Sequence, residues 1–579
     1  MRRLTRWIRP WTCVALLAMI GMLAGIFPAA AQEATPEASY FSDTAGPPQP
    51  GGMANFLLYE NPDTLNPLIG QTTIAVQVTS AILEGLTYVD PDGLTQPALA
   101  AELPTLVNGG VSEDLTTVTW TLKPDLLWSD GTPVTSADVA HTWESARDAD
   151  NGSAVASDYD LITGIETPDP QTAVVSYSAF NAGYLDQFPW IVPAHATGEP
   201  SEMATWDFNQ MPIGTGPFVL QEWSSDEYLL TTRNENYREE SKPYLDGINF
   251  LVIPAEEARA ARMIGGDAQV MIWAGDEATD QIEAAGTASE RTAPGVWVMS
   301  IYFNQSAPFD DDPGAEPPHP ILGDLRVREA ITLAINRDRI RTELFEDRVL
   351  PLDSVLQVGW INCEVEPFTY DPERAAQLLD EVGWRDEDGD GVREAHSVPD
   401  VEDGTPMTLN MNGYTGFSSL DLTELAVQED LAAIGIEIAI ENQDFAVIFG
   451  TWADSSPRLL GDYDLLLYDA GYFAEPGAEI ERDFAPDQLP SADNPGGGNF
   501  YRWVRDDVGE WLTAANQSPD VDERRTNFCN VAGAIREDFV SFPLYQFREG
   551  GVYSNLLHGF TISTWEYATW DAENWWLEQ

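Results

Sequence analysis

The sequence predicts an α/β fold. In its second half, helix-period segments alternate with short apolar strands, which is the pattern of helices packed on a sheet. The chain also has ample means to bury a core. Of its 579 residues 43% are hydrophobic, including 19 Trp, 19 Tyr and 23 Phe, so global disorder is excluded. That length corresponds to two or three domains' worth of core, joined or interleaved.

The elements follow in chain order. Residues 118–122 (Val-Thr-Trp-Thr-Leu) alternate as a strand does. Phe218-Val219-Leu220 and Tyr228-Leu229-Leu230 flank a polar turn, as in a hairpin. Asp371-Pro372 opens a helix, with Asp as N-cap and Pro at the first helical position. Ala375, Leu378, Leu379 and Val382 share one face of it, and Gly383 ends it. A second helix is predicted over 422–434, stopping at Gly435, and a strand over 436–440 follows directly. Residues 464–468 read as a buried strand.

The N-terminus reads as an export signal over 1–31. Arg2, Arg3, Arg6 and Arg9 precede an apolar stretch from Trp11 to Phe27, and Ala29-Ala30-Ala31 gives a small-residue cleavage site before Gln32. The apolar stretch is shorter than the roughly 20 residues of a spanning helix. Arg2-Arg3 lacks the rest of a twin-arginine motif, so Sec export is expected, and Cys13 lacks the small residues before it that a lipoprotein cysteine needs. Residues 32–53, rich in Pro, Gly, Ala and Ser, are expected to be a flexible linker. No later segment is apolar enough to span a membrane.

Formal net charge is -66, and Lys123 and Lys242 are the only lysines. Nucleic acid is therefore excluded as a partner, since a polyanion needs clustered cations, and anionic lipid is disfavoured for the same reason. So acidic a surface favours a soluble monomer. After the signal is removed two cysteines remain, Cys363 and Cys529. They are either a disulfide, which an oxidising compartment favours, or two separate buried thiols.

Residues 386–391 (Asp-Glu-Asp-Gly-Asp-Gly) have the spacing of a calcium loop, with Asp386, Asp388, Asp390 and Glu394 as candidate ligands. Position twelve is Ser397, where an EF-hand has a bidentate Glu, so a plain solvated turn is the competing reading. The five histidines, at 141, 195, 319, 396 and 558, have no metal-like spacing. No cofactor is expected. Neither G-x-S-x-G nor H-E-x-x-H occurs, so nothing in the sequence supports a hydrolase.

Residues 128–139 (Trp-Ser-Asp-Gly-Thr-Pro-Val-Thr-Ser-Ala-Asp-Val) read locally as a strand–turn–helix corner, with a tight Asp130-Gly131 turn and Thr135 or Ser136 capping a helix whose first turn holds Asp138. As a string, this block resembles the "W-S-D-G-x-P-V-T-A-x-D-V" segment of the family 5 extracellular solute-binding proteins of ABC importers, the oligopeptide, dipeptide and nickel receptors. Other blocks resemble the family in the same order: Asn61-Pro62-Asp63-Thr64-Leu65-Asn66-Pro67, Leu83-Glu84-Gly85-Leu86, Pro97-Ala98-Leu99-Ala100, Gly214-Thr215-Gly216-Pro217-Phe218, Arg233-Asn234-Glu235-Asn236-Tyr237, Leu325-Arg326-Val327-Arg328-Glu329-Ala330 and Gly435-Ile436-Glu437. The resemblance runs from about residue 55 to the C-terminus.

The resemblance implies a two-lobed periplasmic-binding-protein fold of the class II type, with an extra subdomain inserted in lobe I. By position lobe I is 54–90, 210–300 and 541–579, the insert 91–209, and lobe II 301–540. It implies capture of a small ligand or peptide between closing lobes and delivery to ABC permease subunits, outside the cytoplasmic membrane. In oligopeptide-binding members an Asp four residues before a Pro neutralises the peptide's ammonium; here that position is Tyr472, within Gly471-Tyr472-Phe473-Ala474-Glu475-Pro476. Asp469 and Glu475 are the acids near enough to replace it, and Tyr468, Tyr472 and Phe473 offer rings for stacking. The polar position after "L-N-P" falls on Gln71. Oligopeptide is the expected ligand; an oligosaccharide is the alternative, motivated by Tyr472 and the aromatics, and a signalling receptor is a further one.

Overall fold

The computed structural model describes residues 40–579 apart from 44–45, 71, 307–316 and 358. The expected export signal, the first part of the linker and Gln71 therefore lie outside the described residues. No helix among the described residues is long and apolar enough to cross a membrane.

One mixed sheet of ten strands organises the molecule. In chain order these are β1 (Met53–Leu58), β2 (Phe218–Ser224), β3 (Tyr228–Arg233), β4 (Gly247–Val252), β5 (Val270–Ile272), β6 (Ala288–Phe303), β7 (Thr408–Asn412), β8 (Glu437–Ile440), β9 (Leu465–Gly471) and β10 (Ser541–Ser554). Their spatial order is β8-β7-β9-β6-β10-β5-β1-β4-β3-β2. At one end β1 pairs in parallel with β4 and β5, and at the other β7 pairs in parallel with β8 and β9. Strands covered on both faces this way must be apolar nearly throughout, and Phe56, Leu57 and Leu58 of β1 and Leu465, Leu466 and Leu467 of β9 are fully buried.

The two ends are joined by β6 and β10, which run antiparallel for most of their 16 and 14 residues. Ala293 of β6 and Tyr553 of β10 pack in a first core with Phe56, Phe250 and Val270. Val298 and Ile301 of β6 and Phe542 and Tyr545 of β10 pack in a second core with Leu409 and Leu465. Each strand thus leaves one core and enters the other. The ladder slips register between Pro294 and Val298, where Pro294 lacks a backbone N–H and a Cβ on Gly295 would stand 2.9 Å from the Phe547 carbonyl oxygen. The outcome is two lobes on two crossing strands.

The first core also contains a three-stranded antiparallel sheet, Thr117–Thr121, Thr172–Tyr177 and Ile162–Asp169. The helix Ser136–Ala146 begins at the 128–139 corner of the sequence, and its geometry accounts for the block. Asp138 accepts from the Thr135 N–H at 2.8 Å and, through its other oxygen, from the Ala194 N–H at 2.9 Å. One carboxylate thereby caps the helix and ties it to a distant loop. Two motif glycines are required by close approach: a Cβ on Gly214 would stand 1.8 Å from the Ile82 carbonyl oxygen, and one on Gly85 would stand 2.4 Å from those of Phe188 and Pro189.

The sequence-predicted elements occur, with two adjustments. The hairpin is β2–β3, and the helix Pro372–Val382 has Asp371 accepting from the Arg374 N–H and Gly383 left-handed at φ 115°. The second helix begins four residues before its expected start, as Ser418–Ala432, because Leu420 already packs in the core. Part of the expected linker is not free: Tyr40–Ser42 forms a strand on Thr561–Ser563, since Phe41 rests on the Phe560 ring at 5.8 Å.

Cys363 and Cys529 form a disulfide, with Cα atoms 5.1 Å apart. It fastens the loop before the helix Pro372–Val382 to the helix Val521–Glu537 across a separation of 166 residues. A cross-link over so long a loop restricts the unfolded chain. Replacing both cysteines by serine is expected to destabilise the second lobe by about 2–5 kcal/mol, read as a lowered calorimetric transition; an unchanged transition contradicts it.

Candidate functional site

Between the lobes lies a cavity of about 530 Å³, within the range of small-ligand sites. The first lobe supplies Trp273 and Ala274 at the end of β5 and Asp276 and Thr279 of the helix Asp276–Ala285. The second supplies Arg348, Tyr414, Phe417 and Asp469. The crossing strands form the floor through Glu290, Trp297 and Met299 of β6 and the run from Phe547 to Val552 of β10. Arg348 reaches from the second lobe to Asp276 at 3.1 Å and Asp280 at 2.5 Å, so the lobes are in contact across the cavity. Trp565 of the C-terminal segment stands against Gly359 of the second lobe, where a Cβ would meet its ring at 2.7 Å.

Strand alternation decides which sequence-predicted residues reach the cavity. In the β6–β9 ladder Asp469 pairs with Met299 and Gly471 with Trp297. Side chains two apart share a face, so Asp469 sits on the cavity face with Met299 and Trp297. Tyr468 is turned the other way, into the second core, with its ring 4.6 Å from that of Tyr302. Tyr472, at the position of the family's ammonium-binding Asp, is also buried, and its hydroxyl donates to Asp483 at 3.0 Å. Burial and this bond hold it inside the lobe. Glu475 is engaged by a two-pronged contact from the Arg524 guanidinium, so its charge is already matched. Phe473 is exposed and edge-on to Trp297 at 6.3 Å. Of the five residues singled out by sequence that lie among the described residues, Asp469 alone lines the cavity, and Phe473 supports its aromatic wall.

Sequence reasoning did not find Trp273, Trp297, Tyr414, Arg348 or Glu549. They come from separate segments, and only the folded chain brings them together. Trp273 and Trp297 are among the few exposed tryptophans, and Trp273 meets Tyr59 edge-on at 5.5 Å. Tyr414 donates a short hydrogen bond to Asp469, and burial raises the Tyr414 phenol well above its usual value. One oxygen of Asp469 is thereby oriented by the protein. Burial also pushes Glu549 up to about 7.

The calcium candidates do converge, with one oxygen from each of Asp386, Asp388, Asp390 and Glu394 within 4.8 Å of the rest. Three of the four side chains are exposed, and Asp386 accepts from the Gly389 and Gly391 N–H groups, so backbone donors serve the loop. The histidines lie apart, His319 on Asp464 at 2.7 Å and His195 on Asp130 at 2.9 Å.

Two lobes on two crossing strands, with a cavity between them, define a ligand-capturing binding protein. Residues 95–478 match the family model of the bacterial extracellular solute-binding proteins, family 5, and the chain belongs to that family. Protein XP55 of Streptomyces lividans is 28% identical over 485 residues, covering 82% of this chain and 80% of its own. The oligopeptide-binding protein AppA of Bacillus subtilis is 24% identical over 448 residues, covering 76% and 77%. The structure of AppA with a nonapeptide superposes with a TM-score of 0.62 at 20% identity, covering 92% of this chain and all of AppA. The ABC transporter-associated periplasmic binding protein DppA of Helicobacter pylori, with peptide STSA, superposes at 0.63 and 18%, covering 92% and 99%.

Glu549 gives a pH dependence of defined sign. Its folded value is raised above the unfolded one, so the folded state binds the proton more tightly, and stability is lost as pH rises from about 4.3 through about 7. Glu424, pushed up to about 7 by burial, acts in the same direction. The melting temperature is expected to rise as pH is lowered from about 8 to about 5, and Glu549→Gln to flatten the rise; a falling melting temperature, or an unchanged slope in the variant, contradicts this.

Proposed function

We propose that the protein is the extracytoplasmic receptor of an ABC importer for oligopeptides, binding them without chemistry in the cavity between its lobes, with Asp469 as the partner of the peptide ammonium. The carrying observation is positional. The family's Asp is replaced by Tyr472, Tyr472 is turned into the core, and the acid three residues earlier faces the cavity instead. A desolvated ammonium requires such a carboxylate. Trp273, Trp297 and Phe417 would pack on side chains of the peptide, and Arg348, which bridges the lobes, would couple closure to occupancy. In this reading 54–90, 210–300 and 541–579 form lobe I, 91–209 its insert and 301–540 lobe II. The chain is exported by its N-terminal signal and acts as a monomer that docks on permease subunits.

The descriptions of AppA and DppA support a peptide; the oligosaccharide reading drew on Tyr472 as well as on the aromatics, and the burial of Tyr472 removes the first of these. A thermal-shift screen of the mature protein against pooled peptides and oligosaccharides tests the proposal. A ligand at about a hundred times its dissociation constant adds about 2.7 kcal/mol. Peptides are expected to stabilise, and both Asp469→Asn and N-acetylation of the peptide are expected to weaken binding by roughly tenfold or more. Stabilisation by sugars alone, or full affinity for acetylated peptides, contradicts it.

A further inference from the structure

A second cavity, of about 470 Å³, lies within the first lobe and shares no wall residue with the one between the lobes. Its walls come from the segments around residues 80–98, 186–190, 237–242 and 566–574. In a chain with two lysines, both of them, Lys123 and Lys242, stand here beside Arg238. Each is already engaged. Arg238 pairs with Glu84, Lys242 with Glu239 at 3.0 Å, and the Lys123 ammonium donates to the carbonyls of Pro97 at 3.3 Å and Ala98 at 2.5 Å.

Three further carboxylates face the same space with neutral donors. Glu566 accepts from the Val89 N–H at 2.8 Å, Asp186 from the Thr95 hydroxyl at 2.9 Å, and Glu573 from the Asn574 amide at 3.2 Å. Five carboxylates against three cations leave an excess of two negative charges on the wall. Glu84 adds a second oxygen that is buried without a hydrogen-bond partner. Burial pushes Glu566 and Glu573 up to about 7 and Asp186 to about 6, the behaviour of desolvated acids lacking a full counter-charge.

The arrangement selects against a bare metal ion. Among the described residues the carboxylates whose oxygens gather within 4.8 Å of one another are those of the 386–394 loop, not these. Acids spread around a cavity suit an extended cation. The wall also carries aromatic faces, with Tyr88 and Trp570 stacked at 5.8 Å and Trp190 nearby, and ammonium groups are attracted to such faces. We propose that this cavity is a second ligand site, for a small organic diamine held among Glu566, Glu573 and Asp186 and lying outside the peptide cavity. The peptide reading does not bear on it.

Calorimetric titration of the mature protein with 1,4-diaminobutane tests it. Saturable binding is expected, retained in Asp469→Asn and weakened by roughly tenfold or more in the Glu566→Gln, Glu573→Gln double variant. Both glutamines keep an acceptor oxygen and the original volume. A variant-independent reading comes from wild-type protein at neutral pH in two buffers of different ionisation enthalpy. Diamine binding should drive protons off the carboxyls, so the two apparent heats should differ. Absence of saturable binding, equal heats in the two buffers, undiminished binding in the double variant, or loss of binding in Asp469→Asn would overturn the proposal.

Discussion

The pairing of β6 with β10 is the constraint on which the rest of the structure depends. These two strands are the part of the principal sheet that belongs to both cores, and their ladder alone makes one sheet of two lobes. A continuous ladder would make a stiff slab. The slip between Pro294 and Val298, opposite Phe547, interrupts it where the chain passes between cores, and Gly550 at φ 147° follows close by, paired with Thr292. The cavity floor adjoins that interruption, so residues of both crossing strands line the cavity where the ladder is broken.

Charge explains much of what surrounds this frame. With 95 acidic and 29 basic side chains, cations are scarce and are placed with purpose. Arg348 crosses the interlobe cavity to Asp276 and Asp280, Arg524 holds Glu475, and both lysines line one cavity in the first lobe. Exposed ion pairs contribute little to stability, but a paired acid differs from an unpaired one in what it can bind. Asp469, supported by Tyr414 and facing the cavity, is open to a ligand cation in a way that Glu475 is not.

The fold was legible because its signals are local. Asp371-Pro372 and Gly383 delimit a helix by backbone chemistry, and the 128–139 block encodes a corner through the Asp138 cap. The family motifs were legible for a related reason, since Gly85 and Gly214 occupy contacts that admit no side chain. The site was legible only in part. Sequence spacing pointed to the 468–475 segment, but strand parity, set by pairing with β6, decides that Asp469 faces the cavity and Tyr468 the core. Tyr472 looked like a changed specificity and is a core residue bonded to Asp483. Trp273, Arg348 and Glu549 carried no sequence signal, because their meaning arises from meeting across lobes. Phe41 shows the opposite case: a composition typical of a linker concealed one ring that docks on Phe560.

The most direct test is an experimental structure of the mature protein with a bound oligopeptide. The account predicts the peptide enclosed between the lobes, its ammonium nitrogen within about 3 Å of the Asp469 carboxylate, and Tyr472 still bonded to Asp483 inside the second lobe. A peptide bound elsewhere, or an ammonium resting on Glu475 with Arg524 displaced, would contradict it.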